Sequence, residues 1–234
     1  MHLAKPCIDI GIYTNKRDEQ LHFWQHQVGL PYEELLKLGG GSQQHRHSLN
    51  GSIFKLNHSR QPIPDTRASG YQTLFIARQN IGEPIQLTDP DGNQVILVPT
   101  GYQGITHIGI RLVVSSIPRF TQFYRNVLQI EQVSDDSFRW GTTLLYLVEN
   151  PQQGPATGMQ GLGYRYITVQ VWQVDEEHAN FLARGGMEAR PPTTLGTTAR
   201  ISFIMDPDQN WIEISQRASL TGSLETHSIP ASKG

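Results

Sequence analysis

The chain has 234 residues, a formal net charge of -2, 17% charged side chains and one cysteine, Cys7. Its length suits one large domain or two small ones and suffices for a core without a disulfide or metal staple. The balanced charge argues against general nucleic-acid binding and a polybasic membrane anchor; the lone cysteine excludes an intramolecular disulfide and any CxxC site.

No apolar run approaches the ~18 residues of a membrane span. Met1–Pro6 leads into no secretory apolar region, so a cytoplasmic location is expected. In chain order, Asp9-Ile10-Gly11-Ile12 reads as a buried strand, and Leu21, Trp24 and Val28 form a helical stripe behind it. Gly39–Gly41 reads as a loop that matches no phosphate-binding pattern. His45 and His47 share a strand face, either on a solvated hairpin edge or as part of a metal site. Gly70-Tyr71 opens a strand over 72–77, and Asp89-Pro90-Asp91-Gly92-Asn93 makes a tight turn into an apolar strand.

The second half begins again with His107-Ile108-Gly109-Ile110. Ser116 caps a helix with Pro118 in its first turn and Phe120, Tyr124, Val127 and Leu128 as its stripe. Gly163-Tyr164 opens a strand over 165–172, and Val174, His178, Phe181 and Leu182 predict a helix closing at Gly185-Gly186. Asp206-Pro207-Asp208-Gln209-Asn210 then turns into Trp211–Ile214. The chain is therefore an internal repeat, opened by DIGI and HIGI and closed by DPDGN and DPDQN. The span Gly70–Asp89 is shorter than Gly163–Asp206 by about one helix and its connections, so the first half should lack that helix. The expected division is 1–102, 103–217 and a Ser/Thr-rich tail, 218–234, without periodicity.

Strand–helix–strands units in tandem, Phe123-Tyr124 on a first helix and a closing Asp-Pro-Asp-x-Asn-x-Ile-Glu are similar to the vicinal oxygen chelate superfamily in its two-domain form. That superfamily spans glyoxalases, bleomycin-resistance proteins and extradiol dioxygenases. The resemblance implies an α+β fold of tandem βαβββ modules, with two cupped mixed sheets, one per half, and helices outside them. It also implies a metal site in the second half. His107 matches the opening-strand histidine and Glu213 the closing-strand glutamate, while Tyr166 stands where the second histidine falls and Tyr146 near a fourth position. The first half offers Asp9, about Phe54, about Thr73 and Ile96, which cannot form a metal site.

Read from the residues alone, His107 suits a hydrogen-bonded strand residue as well as a ligand. Glu213, between Ile212 and Ile214, points away from their face, and a metal, His107 or Arg111 is its natural partner if it lies in the cup. Tyr164, Tyr166, Thr168, Gln170 and Trp172 alternate along one strand, a mixture suited to an amphipathic organic ligand.

Two functions follow. In the first, an enzyme of dioxygenase or lyase/isomerase type holds a divalent Fe, Mn or Zn on His107 and Glu213. Tyr166 or Tyr146 handles a proton, and Arg111, Thr168, Gln170 and Trp172 hold the substrate. In the second, a metal-free protein sequesters an aromatic molecule, as the bleomycin-resistance branch does. Either way a small molecule is the expected partner, with no nucleic acid or membrane and a homodimer as the candidate assembly.

Overall fold

The structure, a computed structural model, describes residues 1–156, 158–222 and 224. Four modules follow one another. The first is β1 (Asp9–Thr14), α1 (Arg17–His22), β2 (Tyr32–Gly39), β3 (Ser42–Leu49) and β4 (Ser52–Ser59). The second has strands alone, β5 (Tyr71–Arg78), β6 (Ile85–Thr88) and β7 (Gln94–Pro99). The third is β8 (Ile108–Val114), α2 (Ile117–Gln122), β9 (Glu131–Ser134), β10 (Ser137–Trp140) and β11 (Thr143–Glu149). The fourth is β12 (Gly163–Gln170), α3 (Val174–Ala183), β13 (Met187–Leu195), β14 (Ala199–Met205) and β15 (Trp211–Arg217). A last turn of helix, α4 (Ala218–Thr221), follows β15. The stretch 218–234 expected as a tail thus begins with helix, and 225–234 lies outside the described residues.

The fold is α+β, and the helix expected to be missing from the first half is missing: β5 leads to β6 and β7 without one. The repeat extends to detail. α1 and α2 both run on into a wider π-type turn, and each turn is followed by a left-handed residue, Gly29 at φ 77° and Gln129 at φ 57°. The paired DPD turns share one design. Asp89 and Asp206 each accept hydrogen bonds from the backbone N–H two and four residues on, and from the Asn93 or Asn210 side chain. Burial of Asp206 pushes its carboxyl up to about 7 against those donors.

The sheets do not follow the halves. An eight-stranded sheet runs β13-β14-β15-β12-β1-β4-β3-β2 and a seven-stranded one β6-β7-β5-β8-β11-β10-β9. The first and fourth modules therefore share one sheet, joined where β1 and β12 pair antiparallel, and the second and third share the other through β5 and β8. A cup built by each half alone, which the division at 102/103 implied, is replaced by cups that cross it. The repeated sequence leaves this open, because related opening strands can seam with either neighbour.

Period-two alternation then sorts the side chains. In the eight-stranded sheet Ile10, Ile12, Phe54, Leu56, Ile167, Val169, Ile212 and Ile214 enter one large core. That core also takes Leu74, Ile76, Ile108 and Ile110 from the other sheet, and Trp24, Phe120, Tyr124 and Phe181 from the helical segments. The intervening residues point the other way, into the concave face.

Candidate binding cup

The concave face of the eight-stranded sheet encloses a cavity of about 710 Å³. Its floor comes from the four central strands: Lys55 and Asn57 on β4, Tyr13 on β1, Tyr166 and Gln170 on β12, Glu213 and Ser215 on β15. Leu36, Leu38, Ile63, Met159, Leu195 and Phe203 supply apolar walls. A polar floor under apolar walls suits an amphipathic organic molecule.

At the centre of the floor lies an ion pair. Lys55 Nζ donates to Glu213 Oε2 at 2.8 Å and to Thr168 Oγ1 at 2.6 Å, and Thr168 donates to the same carboxylate oxygen at 2.8 Å. Lys55 is 3% exposed and Glu213 9%. Desolvation pulls the Lys55 ammonium below the usual lysine range, opposed chiefly by the Glu213 charge. The ammonium sits 5.4 Å from the centre of the Tyr166 ring. The Tyr166 hydroxyl accepts from Asn57 Nδ2 at 3.1 Å and Gln44 Nε2 at 3.3 Å, and burial raises its pKa well above that of an ordinary phenol. Tyr13 nearby is pushed up to about 12, mainly by burial and then by the Glu213 charge.

Register explains how these groups meet. β1 and β12 cross about Ile10 and Ile167, so Asp9 faces Thr168 and Gly11 faces Tyr166. Gly11 is adjacent to Lys55 on β4, and Thr168 to Glu213 on β15. Lys55 and Glu213 are thus equivalent positions of the two modules, brought together by their pseudo-symmetry. Gly11 is required here: an added Cβ would stand 2.2 Å from Tyr166 Cε1.

The expected metal pair is not assembled. Glu213 belongs to the eight-stranded sheet, whereas His107 immediately precedes β8 of the other. The half-buried His107 ring lies 3.0 Å from Thr106 Oγ1 through Nδ1. Among the described residues no cluster of three His, Cys, Asp or Glu could hold an ion. The four strand positions around the cup carry Asp9, Lys55, Tyr166 and Glu213. Lys55, rather than the expected Phe54, takes the β4 position; Phe54 faces the core, its ring centre 3.8 Å from that of Trp24. Asp9 is held by Lys5 and the Ile53 backbone, each at 2.8 Å. Such a set does not fit a divalent metal, because an ammonium offers no lone pair and repels a cation.

Other expected site residues divide between the sheets. Tyr166, Thr168 and Gln170 are in the cup. Arg111 and Tyr146 are in the seven-stranded sheet, whose concave face is filled by side chains. There Phe75, Ala77, Val98, Ile105 and Leu144 pack together with Ile96, Tyr102 and Tyr146. Tyr146 donates to the Gln103 carbonyl at 2.7 Å, and the Arg111 guanidinium lies 5.1 Å from the Phe75 ring centre. The connection between the halves thus plugs the cup where the metal site was expected. Trp172 lies beyond the end of β12, 44% exposed, beside His2 and away from the cavity. Tyr164 also leaves the expected face. A bulge between the Tyr164 and Tyr166 pairings turns it into the core, where its hydroxyl bonds the Gln94 carbonyl at 3.1 Å.

Lys55, Asn57, Gln44, Arg46 and Tyr13 were not anticipated. The signal for Lys55 and Asn57 is Phe54-Lys55-Leu56-Asn57, where polar residues alternate along an otherwise apolar strand.

Comparison with known proteins agrees with this architecture. Residues 104–214 match the family model of the Glyoxalase/Bleomycin resistance protein/Dioxygenase superfamily. Glyoxalase I from Zea mays superposes with a TM-score of 0.71 at 14% identity, covering 94% of this chain and 98% of that one. A putative dioxygenase from Bacillus subtilis superposes at 0.66 and 14% identity, covering 93% of this chain and 85% of that one. No curated protein matches the sequence. Residues 104–214 thus match this superfamily's model, and the chain shares the fold of these solved structures over nearly its whole length.

Proposed function

We propose that the protein binds a small amphipathic organic molecule in the cup of the eight-stranded sheet, with no resident divalent ion. The observation that carries this reading is Lys55. Its ammonium occupies the centre of the cup at a position equivalent to Glu213, and together they form an internal ion pair across the cup floor. The Lewis-acid chemistry implied by the family resemblance needs open coordination positions on a bound metal. The donor set of this cup opposes that requirement, while its apolar walls favour ligand binding.

The test is a thermal-shift screen of small aromatic and oxygen-rich compounds, run with and without a chelator. A ligand at one hundred times its Kd stabilises by about 2.7 kcal/mol. For a chain of this size that raises Tm by roughly 5–10 °C. The shift should be the same with the chelator present. A ligand shift that disappears on chelation, or a screen without any shift, refutes the reading.

A second reading is favoured by the 2.8 Å contact of Lys55 with Glu213. An ammonium and a carboxylate sharing a cavity floor can give and take a proton from a bound molecule. Deuterium entering a bound ligand from heavy water, and lost in Glu213→Gln, would distinguish catalysis from simple binding.

A further inference from the structure

The chain carries a formal net charge of -2, yet among the described residues the cavity is lined by Arg46, Lys55, Arg190 and Arg217 against a single lining carboxylate, Glu213. Glu34, half exposed outside the lining, offsets part of this at 3.1 Å from Arg46 and 3.7 Å from Arg217. Arg190 lies over the rings of Phe203 and Trp211 at 5.8 and 5.3 Å, and among the described residues no carboxylate comes within ion-pair distance of it. At the floor, Lys55 spends two of its three N–H donors on Thr168 and Glu213, leaving one for a ligand. Concave low-dielectric walls concentrate the field of such groups.

Resting on the binding reading above, we propose that the cup selects an organic oxyanion. The ligand carries a carboxylate or similar head on an aromatic or aliphatic body. The head reaches the free Lys55 donor at the floor, the body lies between Phe203 and the aliphatic wall residues, and Arg190 attracts the anion at the rim. Lys55 supplies the fixed positive charge that a metal would otherwise bring to this position, at a cost in reach: it holds one oxygen where an ion could hold two.

Three probes of one shape test this on the full chain: 2-naphthoate, 2-naphthalenemethanol and 2-naphthylmethylamine, titrated by calorimetry at low and high salt. Naphthoate should bind at least about tenfold tighter than the alcohol, a difference of ~1.4 kcal/mol, and the amine should bind weakest. The preference should shrink at high salt. Arg190→Gln, at an exposed position, should reduce naphthoate affinity severalfold and leave the alcohol unchanged. The double variant Lys55→Met with Glu213→Gln, which leaves no unpaired buried charge, should keep only the severalfold part of the naphthoate preference that Arg190 supplies. Equal binding of naphthoate and the alcohol to the unaltered protein overturns the anion inference and leaves the cup as a binding site. Failure of all three probes to bind overturns both.

Discussion

Replacing Lys55 by Met removes a buried ammonium and leaves its partner charged. Lys55 and Glu213 side chains are 4% and 12% exposed, and their charged atoms are 2.8 Å apart. Breaking a buried pair from one side costs about 3–5 kcal/mol because the remaining charge is uncompensated. Glu213 keeps contact with a cavity large enough to hold water and retains the Thr168 hydroxyl, so the low end applies, about 3 kcal/mol. Lys55→Met with Glu213→Gln should fall within about 1 kcal/mol of the unaltered protein, since two neutral side chains carry no stranded charge. Urea unfolding of all four members of this cycle measures the coupling. If each single variant lost less than about 1 kcal/mol, the pair would be behaving as a solvated surface pair. The reasoning that makes it the fixed centre of the cup would then fail.

Gly11→Ala should cost about 1–3 kcal/mol as overpacking, since its Cβ would meet the Tyr166 ring at 2.2 Å; pairing it with Tyr166→Ser should recover part of the loss in a thermal melt. Tyr166→His places an imidazole near the cup centre but leaves Lys55 in place, so Mn(II) binding followed by electron paramagnetic resonance should remain undetectable, whereas adding Lys55→Glu should make it measurable. The buried His47 is lowered to about 4, chiefly by desolvation, with Gln25 Nε2 3.2 Å from its Nε2. The unfolded chain therefore binds the extra proton between about pH 6.5 and 4, and stability should fall by up to ~3 kcal/mol as pH drops through that window. In His47→Gln, the urea midpoint should depend less on pH over the same range.

Much of the framework was legible because it is written in local chemistry. The alternation of Asp9-Ile10-Gly11-Ile12 and of Trp211-Ile212-Glu213-Ile214 separates core from cup: Ile10, Ile12, Ile212 and Ile214 enter the large core, while Glu213 lines the cavity. The twin Asp-Pro-Asp turns are Asx-type loops that any local reading can recognise, and the shortened second module follows from spacing. Seam choice was not legible. Nothing in the opening strand of the first module states whether it pairs with the second module or the fourth, and that choice decides which strands build each cup. His107 and Glu213 were separated by this alone. Tyr164 was misplaced by one bulged residue, Arg165, which is 1% exposed and bonds the Arg67 carbonyl at 2.9 Å. That is a tertiary reason for an irregularity a strand pattern does not contain. Lys55 was hidden differently: a lysine inside an apolar strand looks like a solvated residue until its partner from the far end of the chain is placed beside it.

The seam between β1 and β12 also orders events in time. On a ribosome, the first module emerges with its pairing edge exposed and must wait for nearly the whole chain before the fourth module covers it. The plugged cup of the two middle modules can close while that edge is still open. Long-range closure of this kind is slow, and an open strand edge attracts other chains. A circular permutant that links residue 234 to residue 1 and is cut in the connection near Gly104 makes the first and fourth modules neighbours in sequence. It should complete the ligand cup early and delay the plugged one, so refolding monitored by Trp211 and by the Tyr146 environment would exchange order.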